Sequence, residues 1–281
     1  MPTLARGFIA FIVLLILLVV IEKFYVRIPI VKKIAIVRLE GVIDEISKKE
    51  FQDLLKEALD REDIAGVIIS INSPGGSVVP SQELYDFIIK AKSKKPIYSY
   101  ISSIGASGAY YVAASTDKIY AERGSLVGSI GVIFTIPELE KLIEKVGIRM
   151  VVVKSGKFKD TGSPFREMTE EDRRYIEKLV MDVYNQFVED VSKGRKLPIG
   201  SVRDLADGRV FTGVEAKRLK LIDEVGTMDD AVLDISRRLG YTRALETEVI
   251  EKREEFWEKF KSIVTISMKE VLKEILAGGM R

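Results

Sequence analysis

A continuous apolar run at residues 66–72 stops abruptly at the turn sequence Ser73-Pro74-Gly75-Gly76. Such a run is typical of a strand covered on both faces, as in a parallel sheet that lies between helices. A second strand, predicted at residues 96–102, also ends at a glycine-bearing turn, which contains Gly105 and Gly108. Because strand-like and helix-like segments alternate along the chain, we predict an α/β domain with parallel strand pairing.

The other predicted elements follow from hydrophobic periodicity and turn signals. Strands are also predicted at residues 34–43, 117–121, 127–134 and 149–154, and helices at residues 47–59, 80–92, 107–114, 138–146, 169–193, 214–219 and 228–239. Beyond them, residues 251–281 form a charged segment with apolar residues spaced as on one helix face. This spacing predicts an amphipathic helix that contacts another subunit or the domain, or that lies on a membrane surface.

The chain of 281 residues contains no cysteine and no histidine. These absences exclude disulfides, thiol nucleophiles, serine–histidine–aspartate catalysis and histidine-ligated zinc. Any catalytic group must therefore be a serine, threonine, tyrosine, lysine or carboxylate. The 44 Lys and Arg residues nearly balance the 42 Asp and Glu residues, so the net charge of +2 gives no general case for nucleic-acid binding. The carboxylates show no spacing typical of a metal site, and neither a metal nor an organic cofactor is predicted.

The N-terminus has the composition of a membrane anchor. Residues 7–21 are uncharged and almost wholly apolar, Arg6 precedes them, and no small-residue cleavage site follows. We therefore predict an uncleaved signal anchor at residues 1–26, forming a single transmembrane helix, and a linker at residues 27–33. A buried core helix and a cleaved signal peptide are the alternatives. The positive charges after the apolar run favour a cytoplasmic domain, but long domains translocate despite such charges.

Ser107 directly precedes Gly108 at the predicted strand-to-helix turn. A serine there can present its hydroxyl, and backbone N–H groups of the two glycine-bearing turns can bind an oxyanion. Since the chain has no histidine, a neutral lysine is the best candidate for the base that activates the serine. Lys154, Lys157 and Lys159 follow a predicted strand, and spacing alone does not choose among them. Two packed glycine turns and a solvated basic loop are the non-catalytic interpretations.

Four motifs together resemble the signal peptide peptidase (SppA) family of membrane-bound serine proteases, within the Clp protease/crotonase superfamily. They are INSPGGSV at residues 71–78, SSIGASGAYYVAA at 102–114, GSLVGSIGVI at 124–133 and KSGKFKDTGSPFREMTEEDR at 154–173. RVFTGVEAKRLKLIDEVG at residues 209–226 is similar to the family's closing segment. The resemblance implies a Clp/crotonase-like protease domain at residues 34–240, built from repeated strand-strand-helix units. A strand and an amphipathic helical tail are expected to follow at residues 241–281.

The resemblance also implies roles for single residues. Ser107 matches the family's nucleophile, and Lys159 matches its general base. The N–H groups of Gly76 and Gly108 match its oxyanion hole, and Ser129 matches a serine that orients the lysine.

The resulting expectation is a membrane-anchored serine endopeptidase that uses a Ser/Lys dyad to degrade cleaved signal peptides and other hydrophobic or unfolded peptides. The resemblance further implies a homo-octamer in which each dyad is shared between neighbouring protomers. We expect a single-pass protein of the cell membrane, with an extracytoplasmic protease domain and no nucleic-acid partner. The alternatives are a related membrane protease that cuts a stomatin-like partner, a crotonase-like acyl-CoA enzyme and a non-catalytic membrane scaffold.

Overall fold

The computed structural model describes residues 31–251. The predicted anchor at residues 1–26 and nearly all of the predicted tail helix lie outside the described residues. Within residues 31–251, no helix is both long enough and apolar enough to cross a membrane.

Strands and helices alternate along most of this part of the chain. The strands are β1 (Lys33–Ile43), β2 (Ile64–Gly76), β3 (Ile97–Ala106), β4 (Lys118–Ala121), β5 (Leu126–Gly128), β6 (Val210–Thr212), β7 (Glu224–Val225) and β8 (Glu246–Val249). The helices are α1 (Glu45–Asp60), α2 (Val78–Ala91), α3 (Gly108–Ala114), α4 (Glu140–Lys145), α5 (Glu170–Arg195), α6 (Ile199–Leu205), α7 (Gly213–Arg218) and α8 (Met228–Arg238). This order confirms the predicted α/β class. The expected strand-strand-helix unit occurs only at β4, β5 and α4 among the described elements, since a helix follows each of the first three strands.

One eight-stranded sheet contains all of these strands, in the order β6-β5-β3-β2-β1-β8 with β4 and β7 beside it. The strand pairs are parallel except for β5 with β6, which are antiparallel. Two strands share one edge of β3: residues 98–101 pair with β4, and residues 104–106 pair with β5. This fork places β5 beside the last residues of β3.

Apolar side chains cover both faces of the sheet. Ile69 and Ile71 of β2 belong to a buried cluster that includes side chains of α1, α2, α3 and α5, whereas Ile68 belongs to a second cluster with Ile235 of α8. All four isoleucine side chains are fully buried. The continuous apolar character of residues 66–72 therefore reflects coverage of β2 on both faces, as predicted.

The carboxyl ends of the central parallel strands meet at one edge of the sheet, where α/β proteins commonly place their sites. Ser73 of β2 lies beside Gly105 of β3, and Ala106 of β3 lies beside Gly128 of β5. The structure continues β2 through the first predicted turn, as far as Gly76, so the prediction of a turn there is wrong. The two glycine-bearing segments and the end of β5 are nevertheless neighbours.

Two of the predicted strands, at residues 127–134 and 149–154, differ from the structure. β5 ends at Gly128 because Gly128 and Ser129 have positive φ angles of 103° and 50°, which interrupt an extended backbone. Residues 149–154 form no strand, and the side chain of Val153 is 95% exposed. Their β-branched side chains suit a strand, but no other described strand pairs with this segment.

Candidate active site

Ser107 lies half-buried at the sharp turn between β3 and α3. Its φ of 53° and ψ of −125° are strained for a residue other than glycine. Two main-chain hydrogen bonds hold this conformation. The Ser107 N–H donates to the Gly128 carbonyl at 2.8 Å, and the Ser107 carbonyl accepts from the Tyr111 N–H at 2.9 Å. The side chain is therefore carried by a rigid strand-to-helix turn, as a nucleophilic serine requires.

The backbone of the first glycine-bearing segment closely approaches the Ser107 turn. Gly75 has a φ of 94°, and a Cβ placed on it would lie 2.6 Å from the Gly108 nitrogen and 2.9 Å from Ser107 Cβ. A Cβ on Gly108 would lie 3.4 Å from the Gly76 nitrogen. Glycine permits this approach because it has no side chain. The amide nitrogens of Gly76 and Gly108 thus lie on neighbouring backbone segments, and two such N–H groups can bind an oxyanion.

A small cavity of about 70 Å³ opens beside these groups. Gly76, Ser107 and Gly108 all contribute to its wall. The rest of the wall is mainly apolar and consists of Val78, Ser81, Tyr111, Gly131, Val132, Val183 and Phe187. The structure therefore brings the predicted serine and both predicted glycines, which come from two separate segments, into one cavity.

Tyr111 and Phe187 form the aromatic part of this wall, with ring centroids 4.6 Å apart. The Tyr111 hydroxyl donates to the Asp190 carboxylate, and the Tyr85 hydroxyl donates to the Asp190 carbonyl at 3.0 Å. Burial and the hydrogen bond to Asp190 raise the pKa of Tyr111, so its hydroxyl remains protonated. These contacts fasten α5 to α2 and α3 at the cavity.

Lys159 lies in an irregular loop, is exposed, and does not line the cavity of its own chain. The two other candidate lysines are engaged by carboxylates: Lys154 pairs with Asp160, and Lys157 pairs with Glu171. Lys159 has no hydrogen bond or ion pair from its side chain to any residue in the range 31–251. Of the three lysines that spacing left open, Lys159 is the one whose amine is not neutralised by a carboxylate in the described part of the chain.

Ser129 directly follows Gly128, whose carbonyl accepts the hydrogen bond from the Ser107 N–H. Its own N–H donates to the Arg209 carbonyl at 2.8 Å, and its side chain is half-buried. Within the described residues, no hydrogen bond joins Ser129 to Lys159. Ser129 is thus close in the fold to the Ser107 turn, and its role in orienting the lysine stays a prediction.

The site predicted from the sequence does not include a charged cluster that contains Asp160, the residue after Lys159. Arg166 joins two carboxylates: its Nε donates to Asp160 Oδ2 at 3.0 Å, and its Nη1 donates to Asp172 Oδ2 at 2.7 Å. Hydrogen bonds from Arg166 and Lys154 lower the pKa of Asp160 to about 2, and those from Arg166 and two threonines hold the pKa of Asp172 well below its usual range. The motif at residues 154–173 is visibly rich in charge, but its sequence does not indicate which charges pair. Within residues 31–251, no group of three or more acidic side chains is placed to hold a metal ion.

A mainly parallel α/β sheet, a strained serine at a strand-to-helix turn and adjacent glycine N–H groups are features typical of a serine hydrolase. The model of the Clp protease family matches residues 22–129, and the model of Peptidase family S49 matches residues 89–241. Since the second match spans more than half of the 281 residues, the chain belongs to peptidase family S49 and is a serine protease.

Three relatives are similar to most of the chain. Putative protease MJ0651 of Methanocaldococcus jannaschii is 42% identical over 195 residues, which cover 69% of this chain and 63% of the relative. Putative protease slr0021 of Synechocystis sp. is 40% identical over 200 residues, covering 71% and 72% respectively. Putative signal peptide peptidase SppA of Enterococcus faecium is 34% identical over 229 residues, covering 77% and 67%. The chain thus spans slightly less than two thirds of the first relative.

Proposed function

We propose that the chain is a membrane-anchored serine endopeptidase in which Ser107 is the nucleophile and Lys159 is the general base. The observation that carries this proposal is the cavity shared by Ser107, Gly76 and Gly108. The absence of histidine from the whole chain supports a lysine as the base. The ion pairs of Lys154 and Lys157 support Lys159 among the candidates, because a base must be able to lose its proton.

The proposed reaction begins when Ser107 Oγ attacks the carbonyl carbon of a peptide bond while the neutral Lys159 amine accepts the hydroxyl proton. The carbonyl oxygen becomes an oxyanion that accepts hydrogen bonds from the N–H groups of Gly76 and Gly108. The carbon–nitrogen bond then breaks, and the Lys159 ammonium returns its proton to the leaving amine. Water, activated by Lys159, hydrolyses the ester left on Ser107 and releases the second product.

In this proposal the base comes from a neighbouring protomer. The exposure of Lys159, and its position outside the cavity of its own chain, support this arrangement. Ile133 and Val153 are 89% and 95% exposed, and such apolar surface supports burial of this region in an assembly. The assembly is a homo-octamer, and Ser129 orients the lysine that arrives from the neighbour.

The proposed substrates are cleaved signal peptides and other hydrophobic or unfolded peptides, bound in extended conformation beside the active-site turns. The mainly apolar cavity wall supports hydrophobic substrates, and the naming of the Enterococcus faecium relative as a putative signal peptide peptidase supports signal peptides. The apolar residues 7–21 support a single-pass anchor in the cell membrane, with the protease domain extracytoplasmic. Membership of family S49 favours this activity over an acyl-CoA enzyme.

The experiment that tests the proposal is labelling of the full chain with a fluorophosphonate probe for active-site serines. We expect labelling of the wild type and none of Ser107→Ala or Lys159→Ala, with unchanged circular dichroism. Hydrolysis of a fluorogenic hydrophobic peptide should follow the same order. Labelling of Ser107→Ala at the wild-type level would contradict the proposed nucleophile.

A further inference from the structure

The residue that follows Lys159 is a carboxylate, Asp160, and a free carboxylate there would stabilise the protonated form of the lysine. In the structure, both carboxylate oxygens of Asp160 are already occupied by other cations. Oδ1 accepts from Lys154 Nζ at 2.6 Å and from Arg166 Nη2 at 3.1 Å, and Oδ2 accepts from Arg166 Nε at 3.0 Å. The Asp160 side chain is only 11% exposed, so water screens these contacts less than at an open surface.

Arg166 is itself held in place from the beginning of α5. Its Nη1 donates to Asp172, whose side chain is 5% exposed, and the Thr161 hydroxyl donates to the other oxygen of the same carboxylate at 2.6 Å. Asp172 also accepts from the N–H and hydroxyl of Thr169 at the helix N-terminus. The loop that carries Lys159 has no regular secondary structure, and this network fixes it against a long helix.

Two further carboxylates that contact this loop are engaged by groups other than Lys159. Lys157 of the loop pairs with Glu171 of α5. The Glu140 carboxylate of α4 accepts from the Glu167 N–H at 2.8 Å. Asp160 is therefore the carboxylate whose availability to Lys159 depends on Lys154 and Arg166.

We propose that Lys154 and Arg166 are positioning residues that engage Asp160 and thereby keep Lys159 free to lose its proton and act as a base. This inference rests on the proposed function of Lys159. Loss of Lys154 would leave part of the Asp160 charge uncompensated. That charge would stabilise the Lys159 ammonium, so that a higher pH would be needed to form the neutral amine.

The test is the pH dependence of kcat/KM of the full-length enzyme for one fluorogenic peptide. In Lys154→Met, the midpoint of the acid limb should move to higher pH by roughly one pH unit, with kcat/KM recovering at alkaline pH. Lys157→Met is the matched control: it removes one lysine from the same loop, but its partner is Glu171 and not Asp160. Its acid limb should stay at the wild-type position. Arg166→Gln should move the limb in the same direction as Lys154→Met.

Asp160→Asn decides whether the carboxylate transmits the effect. Adding Asp160→Asn to Lys154→Met should bring the midpoint back toward that of Asp160→Asn alone. The inference would be overturned if Lys154→Met left the acid limb of kcat/KM at its wild-type position. It would also be overturned if Lys154→Met moved the limb equally far when Asp160 is replaced by Asn. Retention of cleavage by Lys159→Ala would instead remove the proposed base, so the two failures are distinguishable.

Discussion

The N–H of Ser107 donates to the carbonyl of Gly128 at 2.8 Å, joining the end of β3 to the end of β5. This bond holds Ser107 at a φ of 53°, a conformation that its own side chain disfavours. The orientation of the candidate nucleophile is therefore maintained by a strand that belongs to a later part of the chain.

Two substitutions of Ser107 distinguish the role of its hydroxyl in cleavage from the cost in stability of its positive φ. Ser107→Ala should abolish peptide cleavage without changing the fold, and Ser107→Gly should be equally inactive. The unfolding free energy of the glycine variant should exceed that of the alanine variant by about 1 kcal/mol, because glycine adopts positive φ without strain. Its midpoint of urea unfolding should therefore lie at a higher urea concentration. Wild-type cleavage by Ser107→Ala would refute the nucleophile, and equal stability of the two variants would refute the strain.

Replacement of Lys159 by arginine keeps the positive charge but removes the ability to lose a proton. Lys159→Arg should therefore reduce kcat/KM at least about 100-fold at every pH at which the enzyme is folded. Lys157→Arg is the control, since a guanidinium can retain the ion pair with Glu171. The base assignment fails if the arginine variant at 159 is active, or if the control is inactive while Lys159→Ala still cleaves.

A shared dyad predicts complementation between two inactive variants. Ser107→Ala retains a working lysine, and Lys159→Ala retains a working serine. Mixed assemblies of the two, refolded together, should recover part of the wild-type cleavage, because some interfaces then combine both intact residues. Co-assembly is checked with two different affinity tags. Zero activity in proven mixed assemblies would place both residues of the dyad in one chain.

The size of the cavity predicts which peptide bonds are cut. About 70 Å³ is far below the roughly 300–1,000 Å³ of pockets that hold drug-sized ligands, so the side chains that bound the cavity, Val183 among them, limit what can enter it. We expect cleavage after small residues to exceed cleavage after phenylalanine. Val183→Ala should shift this preference toward larger residues, and Val183→Phe should slow cleavage after all but the smallest. A peptide panel with identical profiles for the two variants would exclude this cavity as the specificity pocket.

The low pKa of Asp160 predicts a pH-dependent contribution to stability. Its hydrogen bonds with Arg166 and Lys154 lower the pKa of the Asp160 carboxyl to about 2. A carboxylate with a lowered pKa stabilises the fold fully above its unfolded value and loses that contribution as pH falls. The difference in thermal stability between wild type and Asp160→Asn should thus be largest above about pH 4 and should shrink toward pH 2. A difference that is constant over this interval would contradict the pairing.

Sequence could predict those parts of the site in which one local pattern determines both the backbone conformation of a segment and its place in the sheet. The apolar run at residues 66–72 predicts a doubly covered strand, and glycines at the ends of two such strands predict the segments that meet at Gly76, Ser107 and Gly108. These inferences succeed because parallel strands bring their carboxyl ends to one edge.

The parts that sequence could not predict depend on partners distant in the chain. The valines at residues 151–153 have the side chains of a strand, but strand formation also needs a neighbour, which the described residues do not supply. The choice of Arg166 as the partner of both Asp160 and Asp172 is likewise invisible in a motif with many charges. Position after a predicted strand left three candidate lysines, and the family resemblance assigned Lys159. The ion pairs of Lys154 and Lys157, which support the same choice, could not be predicted from the sequence.

The fork in β3 has a consequence for the order in which the enzyme matures. The Ser107 turn is held by the hydrogen bond to Gly128 at the end of β5. β5 in turn pairs with β6, and the Ser129 N–H donates to the Arg209 carbonyl. While the chain is being synthesised, Ser107 leaves the ribosome long before residues 209–212 do. The nascent chain therefore contains Ser107, the candidate nucleophile, before the strands that orient it are present, and we expect this turn to reach its final conformation only when most of the domain has emerged.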